Sequence, residues 1–352
     1  MAATASSTAA TAIDLRSDTV TRPTPAMLEA MVAAEVGDDV LGDDPTIIKL
    51  QEHMAKLTGK EAACFVPSGT MANGTAIRAL TEPGDEIIGN HTGHFYLYES
   101  GNYAAISGCS VRLIEGDRGQ FDVEDVRASM RPPDAHFPHS ALVIIENTNN
   151  RGGGSVWPLD KIERVAAEAR RLGLKVHLDG ARLMNACVAS GHTPAEYAAR
   201  ADTVSMCFSK GLGAPVGSIV AGSQALIRRV HRFRKLFGGT MRQSGYLAAA
   251  ALYAIENNVQ RLAQDHENAR TLAQAIAELP GLSTDVDEAE TNILYYEVDP
   301  ALGTAADFSQ RLEESGVRML ATGPQQIRAV THLDVSADQI GQAIEVMKKL
   351  TH

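Results

Sequence analysis

The run Ala201–Gly211, ADTVSMCFSKG, decides how this chain is read. Thr203–Phe208 is small or apolar and about as long as one buried strand. It gives way at once to Ser-Lys-Gly, and glycines continue through Gly211, Gly213 and Gly217. A solvated lysine needs no such setting. A lysine that must lose its proton and attack a carbonyl does, because partial burial among small residues disfavours the ammonium and leaves a nucleophilic amine. Taken alone, Lys210 also fits an ordinary surface lysine in a loop.

Three further runs share this design: ACFVPSGT from Ala63, ALVIIENTNN from Ala141 and LKVHLDGAR from Leu174. Each is of strand length and ends in polar or glycine residues. Helical patterns lie between some of them. In PLDKIERVAAEARRLG, Pro158 suits the first turn, Gly173 suits the C-terminal cap, and Ile162, Val165, Ala166 and Ala169 share one face. Alternating buried strands and helices predict an α/β fold with a mainly parallel sheet covered on both sides. Ligands of such sheets bind beyond the carboxyl ends of the strands. The chemically loaded ends of all four runs therefore point to one crevice.

Gln243–Glu278 reads as helix-rich. Beyond it, TNILYYEV and IRAVTHLDV read as strands, while DFSQRLEESG and DQIGQAIEVMKKL read as helices. The expected organisation is a disordered tail over 1–12, an N-terminal segment over 13–45, a large α/β domain over 46–255 and a smaller α+β domain over 256–352.

Composition narrows the classes. The chain has 352 residues, 44% of them hydrophobic, enough for a continuous core. A net charge of −11 disfavours a general nucleic-acid role, since phosphate backbones need a basic face. No stretch of about 18 apolar residues suggests a membrane span. Cys64, Cys109, Cys187 and Cys207 match no zinc or redox spacing and fit buried thiols in a reducing, cytoplasmic setting. No metal-ligand cluster of the usual spacing is evident, so no metal is expected.

Three motifs carry the chemistry. Ser68-Gly69-Thr70 opens a helix directly after a strand. Its backbone N–H groups attract an anion, although the same triplet is also an ordinary N-cap. Asp179 sits just past a buried strand, where a carboxylate can hold a protonated ring nitrogen or cap the next helix. Arg182 could take a substrate carboxylate in two-pronged fashion, or it could be a surface arginine. Together, an anion nest, a carboxylate and the Lys210 amine match the phosphate, pyridinium nitrogen and aldehyde of pyridoxal 5′-phosphate. His94, in GHFYLYESG, is a candidate to lie against the cofactor ring; its plainer reading is an aromatic-rich helix facing the core.

These residues resemble the threonine aldolase family, within the β-eliminating-lyase group of fold-type I pyridoxal phosphate enzymes. LRSDTVTRPTPAM, VGDDVLGDDPT, GKEAACFVPSGTMAN, HFYLYESG, IENTNNRGGG, LDGARL, SKGLGAPVGS, GGTMRQSGYLAAA and RAVTHLDVS follow in the family's order from Leu15 to Ser336. The resemblance implies that Lys210 is the Schiff-base residue and Asp179 the pyridine-nitrogen partner. It makes Gly69 and Thr70, beside Ser68, the phosphate cradle, with His94 stacked on the ring. Ser17, Arg182 and Arg328 become substrate-carboxylate ligands. Arg242 helps hold the phosphate, across a subunit boundary in a homotetramer built as a dimer of dimers.

Two departures stand out. The family usually has tyrosine where this chain has Leu41, and histidine where it has Asn149. An asparagine can donate a hydrogen bond to a substrate hydroxyl but cannot take its proton at neutral pH. His94 is then the expected base, directly or through a water. The activity implied is Cα–Cβ cleavage of L-threonine or L-allo-threonine to glycine and an aldehyde such as acetaldehyde. The alternatives are β-elimination or another reaction of the same cofactor on an amino acid, an aldolase preferring a different β-hydroxy amino acid, and a non-catalytic binding protein on the same scaffold.

Overall fold

The computed structural model describes residues 12–351. The expected tail over 1–12 lies, but for its last residue, outside the described residues. The chain divides into two compact units. One is Thr21–Ala263; the other takes the described residues up to Val20 and those from Gln264 onward. The N-terminal segment is therefore shared, with the part from Thr21 belonging to the large unit.

The large unit is built on seven strands: β1 (Ala62–Val66), β2 (Asp85–Asn90), β3 (Ser110–Ile114), β4 (His139–Glu146), β5 (Lys175–Asp179), β6 (Thr203–Cys207) and β7 (Ser218–Gly222). Their spatial order is β1-β7-β6-β5-β4-β2-β3. Only β7 runs antiparallel to its neighbours; β3, β2, β4, β5 and β6 pair in parallel. Seven consecutive residues of β4, Ser140–Glu146, are buried, as expected of a strand covered on both faces.

Among the helices are α1 (Pro45–Thr58), α2 (Gly69–Leu80), α3 (His94–Leu97) and α4 (Leu159–Arg171), the last being the helix read around PLDKIERVAAEARRLG. Ile162, Val165, Ala166 and Ala169 are its buried face. Pro158 is its N-cap and Gly173 takes a φ of +83° just beyond its end. The core beneath these helices includes Phe65, Trp157, Tyr197 and Phe208. Trp157 meets Phe121 edge-on at 5.0 Å between ring centroids.

In the second unit, Ile293–Val298 and Gln326–Val330 form the centre of a four-stranded antiparallel sheet. Helices Ala305–Glu314 and Ala337–Thr351 contribute Phe308, Leu312, Ile340 and Met347 to its core. This is the α+β pattern expected from the C-terminal sequence. No helix among the described residues is long and apolar enough to cross a membrane.

Candidate active site

Because six of the seven strands point the same way, their carboxyl ends share one edge of the sheet. The residues after β1 open α2, and Ser68 caps it by accepting from Met71 N–H at 3.2 Å. Gly69 is the first helical residue; a Cβ there would stand 2.8 Å from the Cys207 sulfur at the end of β6. The helix N-terminus is thus seated against the strand that leads to Lys210, an approach only glycine permits.

Lys210 lies three residues beyond β6, in the loop that returns to β7. Its carbonyl accepts from Thr21 Oγ1 at 3.1 Å and from Gly213 N–H at 2.8 Å. The loop re-enters the sheet at Gly217, whose φ is +109° and where a Cβ would stand 2.5 Å from the Phe65 ring. Lys210 Nζ makes no hydrogen bond or ion pair among the described residues. Ala181, Arg182, Asn185, Cys207 and Lys210 line one small hollow.

Asp179 ends β5 and is 2% exposed. Its Oδ1 accepts from Ala181 N–H at 3.1 Å and its Oδ2 from Asn73 Nδ2 at 2.7 Å. Arg182, three residues on, is buried at the entry to the helix Leu183–Ser190.

His94 opens α3 beyond β2. Its backbone N–H donates to Glu146 Oε2 at 2.7 Å, and its Nδ1 bonds Glu99 Oε1 at 2.8 Å. Burial disfavours the imidazolium, but the Glu99 hydrogen bond and the Asp179 charge outweigh it and lift His94 above the usual histidine range. The Lys210 ammonium acts on the same ring in the opposite sense. Burial and the Asp179 charge also push the Glu99 carboxyl upward. His94, Glu99 and Asp179 offer donor atoms within 4.8 Å of one another. Glu146 pairs with Asp179 across β4 and β5, and burial followed by the Asp179 charge lifts its carboxyl well above the carboxylate range.

Sequence reasoning missed a polar layer behind these groups. Asn73, Glu99, Glu146, His177 and Ser205 are all buried. His177 precedes Asp179 by two residues, so both side chains leave the same face of β5. Its Nδ1 bonds Thr203 Oγ1 at 2.8 Å, and burial drives its proton affinity down to about 4. The folded protein therefore binds fewer protons at His177 than the unfolded chain does. The stabilisation this brings is complete above about pH 6.5 and is lost as pH falls through the window down to about 4. A shift of this size corresponds to roughly 3 kcal/mol. Glu99 and Glu146 act with the opposite sign, so the difference between wild-type and His177→Gln unfolding curves isolates the histidine. That difference should vary steeply with pH inside the window and flatten above it; a difference independent of pH rejects a buried neutral His177.

The remaining expected residues differ in setting. Asn149 is fully buried, and its Oδ1 accepts from Gly152 N–H at 2.7 Å. Gly119 packs against it so closely that a Cβ there would stand 2.2 Å from Asn149 Cγ. Its Oδ1 is thus engaged in the turn after β4, while its buried Nδ2 has no hydrogen-bond partner among the described residues. Leu41 is 75% exposed in a turn. Arg242 pairs with Asp38 at 2.9 Å at the surface of the large unit. Ser17 and Arg328 belong to the second unit. There Ser17 Oγ accepts from Thr19 Oγ1 at 2.8 Å, and Arg328 Nη2 donates to the Arg16 carbonyl at 3.0 Å.

Known proteins resemble this chain. The profile of the family described as beta-eliminating lyase matches residues 14–299. The chain is 41% identical over 346 residues to a probable low-specificity L-threonine aldolase 2 of Arabidopsis thaliana, covering 97% of each. It is 43% identical over 331 residues to a low specificity L-threonine aldolase of Escherichia coli, covering 94% of this chain and 96% of that one. The solved threonine aldolase of Leishmania major has the same fold, with a TM-score of 0.82 at 21% identity over 97% of this chain and 100% of the other. On the profile match and these identities, the chain belongs to the β-eliminating lyase family.

Proposed function

We propose that this chain is a pyridoxal phosphate-dependent aldolase that cleaves the Cα–Cβ bond of L-threonine and L-allo-threonine, giving glycine and acetaldehyde. The observation that carries the reading is the convergence, at one sheet edge of one unit, of a helix N-terminus, a buried carboxylate and an amine.

The residues fit the cofactor. Asp179 is buried without an ion pair among the described residues, the setting in which a carboxylate takes a cationic partner such as a protonated ring nitrogen. Lys210 Nζ is likewise uncommitted. The N–H groups of Gly69 and Thr70 open a helix of 12 residues whose positive end favours a phosphate. When bound, the cofactor supplies an electrophilic carbon and a protonated ring that accepts the electron pair released at Cα.

The chain's own residues do the rest. Lys210 provides the amine that holds the cofactor and yields to the substrate amine. Asp179 keeps the ring nitrogen protonated. Ser17, Arg182 and Arg328 bind the substrate carboxylate, which orients the Cα–Cβ bond for cleavage. His94 has Nδ1 committed to Glu99, which leaves Nε2 to take the β-hydroxyl proton. Arg242 serves the phosphate from a neighbouring copy in a homotetramer, a role that suits its exposure at the surface of its own unit. Four buried, unpaired cysteines suit a reducing cytoplasm.

A substrate panel tests the activity. Purified protein loaded with pyridoxal phosphate is given L-threonine, L-allo-threonine, phenylserine and β-chloroalanine. Glycine plus aldehyde from the hydroxy amino acids is the expected outcome. Pyruvate plus ammonia from β-chloroalanine, with no glycine from the others, would replace the aldolase reading with β-elimination.

A further inference from the structure

One side chain joins the Asp179 carboxylate to the group that holds His94. Asn73 lies on α2, one helical turn past Gly69, and is 3% exposed. Its Nδ2 donates to Glu99 Oε1 at 2.7 Å and to Asp179 Oδ2 at 2.7 Å. Its Oδ1 accepts from His177 Nε2 at 3.0 Å and from Ser205 Oγ at 3.1 Å. Two N–H donors and two lone pairs are an amide's whole capacity, so all of it is used. The two carboxylates fix which end of the amide is nitrogen, because they can only accept. The oxygen must then face His177, whose Nε2 therefore carries the proton while its Nδ1 accepts from Thr203.

We propose that Asn73 is a positioning residue for the acid partner and the stacking imidazole at once: one buried amide aims the Asp179 and Glu99 carboxylates, and through Glu99 it aims the His94 ring. The inference rests on the pyridoxal phosphate reading above. The chain of bonds runs His94–Glu99–Asn73–Asp179 without a break. It is anchored on the helix whose N-terminus forms the anion nest, so one rigid turn sets the carboxylate in register with the phosphate site. Behind the amide, His177 and Ser205 on β5 and β6 hold its orientation. The charged groups facing this assembly are Asp179 and His177 from β5, Glu99 and His94 from the α3 region, Glu146 from β4 and Lys210 from the loop after β6.

A Glu99 that loses its Asn73 N–H donor is a stronger acceptor for the His94 Nδ1–H, which raises the proton affinity of the ring. Asn73→Ala should therefore move the acid limb of the kcat profile, and the matching change in the holoenzyme's visible absorbance, upward by about one pH unit. The dissociation constant of pyridoxal phosphate should rise about tenfold. A merely structural asparagine would lower thermal stability and leave both quantities alone, so an unshifted profile with an unchanged dissociation constant overturns the proposal. If Asn73→Ala does not fold, Ser205→Ala removes one of the two groups that orient the amide. It should shift the profile in the same direction by a smaller amount, and no shift there also overturns it. Wild-type protein that binds no pyridoxal phosphate rejects the cofactor reading itself; wild-type binding with unshifted variants rejects only the role of Asn73.

Discussion

Lys210→Ala protein should fold normally, bind pyridoxal phosphate only by dissociable contacts and lose detectable aldol cleavage. The reasons are local. Lys210 Nζ makes no bond among the described residues, and its backbone partners Thr21 and Gly213 do not depend on the side chain. Stability should therefore stay within about 0.5 kcal/mol of wild type, the usual range for a substitution that breaks no buried contact. Borohydride treatment followed by peptide mapping reads the chemistry directly. Wild-type protein should carry the reduced cofactor on the peptide containing Lys210, whereas the variant should release all of it on denaturation. Covalent label on another lysine, or turnover near the wild-type rate, would remove Lys210 from the mechanism.

His94→Ala should lower kcat by about 10²–10³-fold while weakening cofactor binding far less, as expected when a general base is removed but most cofactor contacts remain. The pH dependence carries a sign. The base must be neutral to accept a proton, so kcat rises with pH through the His94 pKa, which lies above the usual histidine range. Glu99→Gln deletes the charge and weakens the hydrogen bond that lift it. The rising limb should then move to lower pH in Glu99→Gln and vanish in His94→Ala. A limb that stays in place in both variants would assign the proton transfer to another group.

Much of this was legible in the sequence because buried parallel strands announce themselves. LVII is a continuous apolar run, VSMCF and VHL are each broken by one polar residue, and all three give way to a polar residue at the carboxyl end of the strand. Lys210 and Asp179 stood out for that reason, as did Pro158 and Gly173 at the ends of α4. The reversed direction of β7 was harder to see, since SIVAG reads like any other strand. The clue was spacing. Residues 208–217 leave no room for a crossover helix, so the next strand had to return antiparallel. Asn73 was hidden for a different reason. An amide in mid-helix looks like a solvated residue until the sheet beneath it is in place, and its four partners come from segments up to 132 residues away. Asn149 is a different case: its alignment with a family histidine suggested substrate contact, and in the structure its Oδ1 accepts from Gly152 N–H while its buried Nδ2 has no hydrogen-bond partner among the described residues.

The reversal of β7 bears on how this enzyme tolerates change. His94 and Asp179 sit at the ends of strands whose onward chain passes through helices, and a residue gained or lost there can be absorbed at a distance. Lys210 has no such slack. Its segment leaves and rejoins the sheet at the same edge, pinned by Cys207 opposite Ser218. A single insertion between Phe208 and Gly217 would reposition the amine while leaving the scaffold intact, so the placement of Lys210 is hostage to segment length as well as to residue identity.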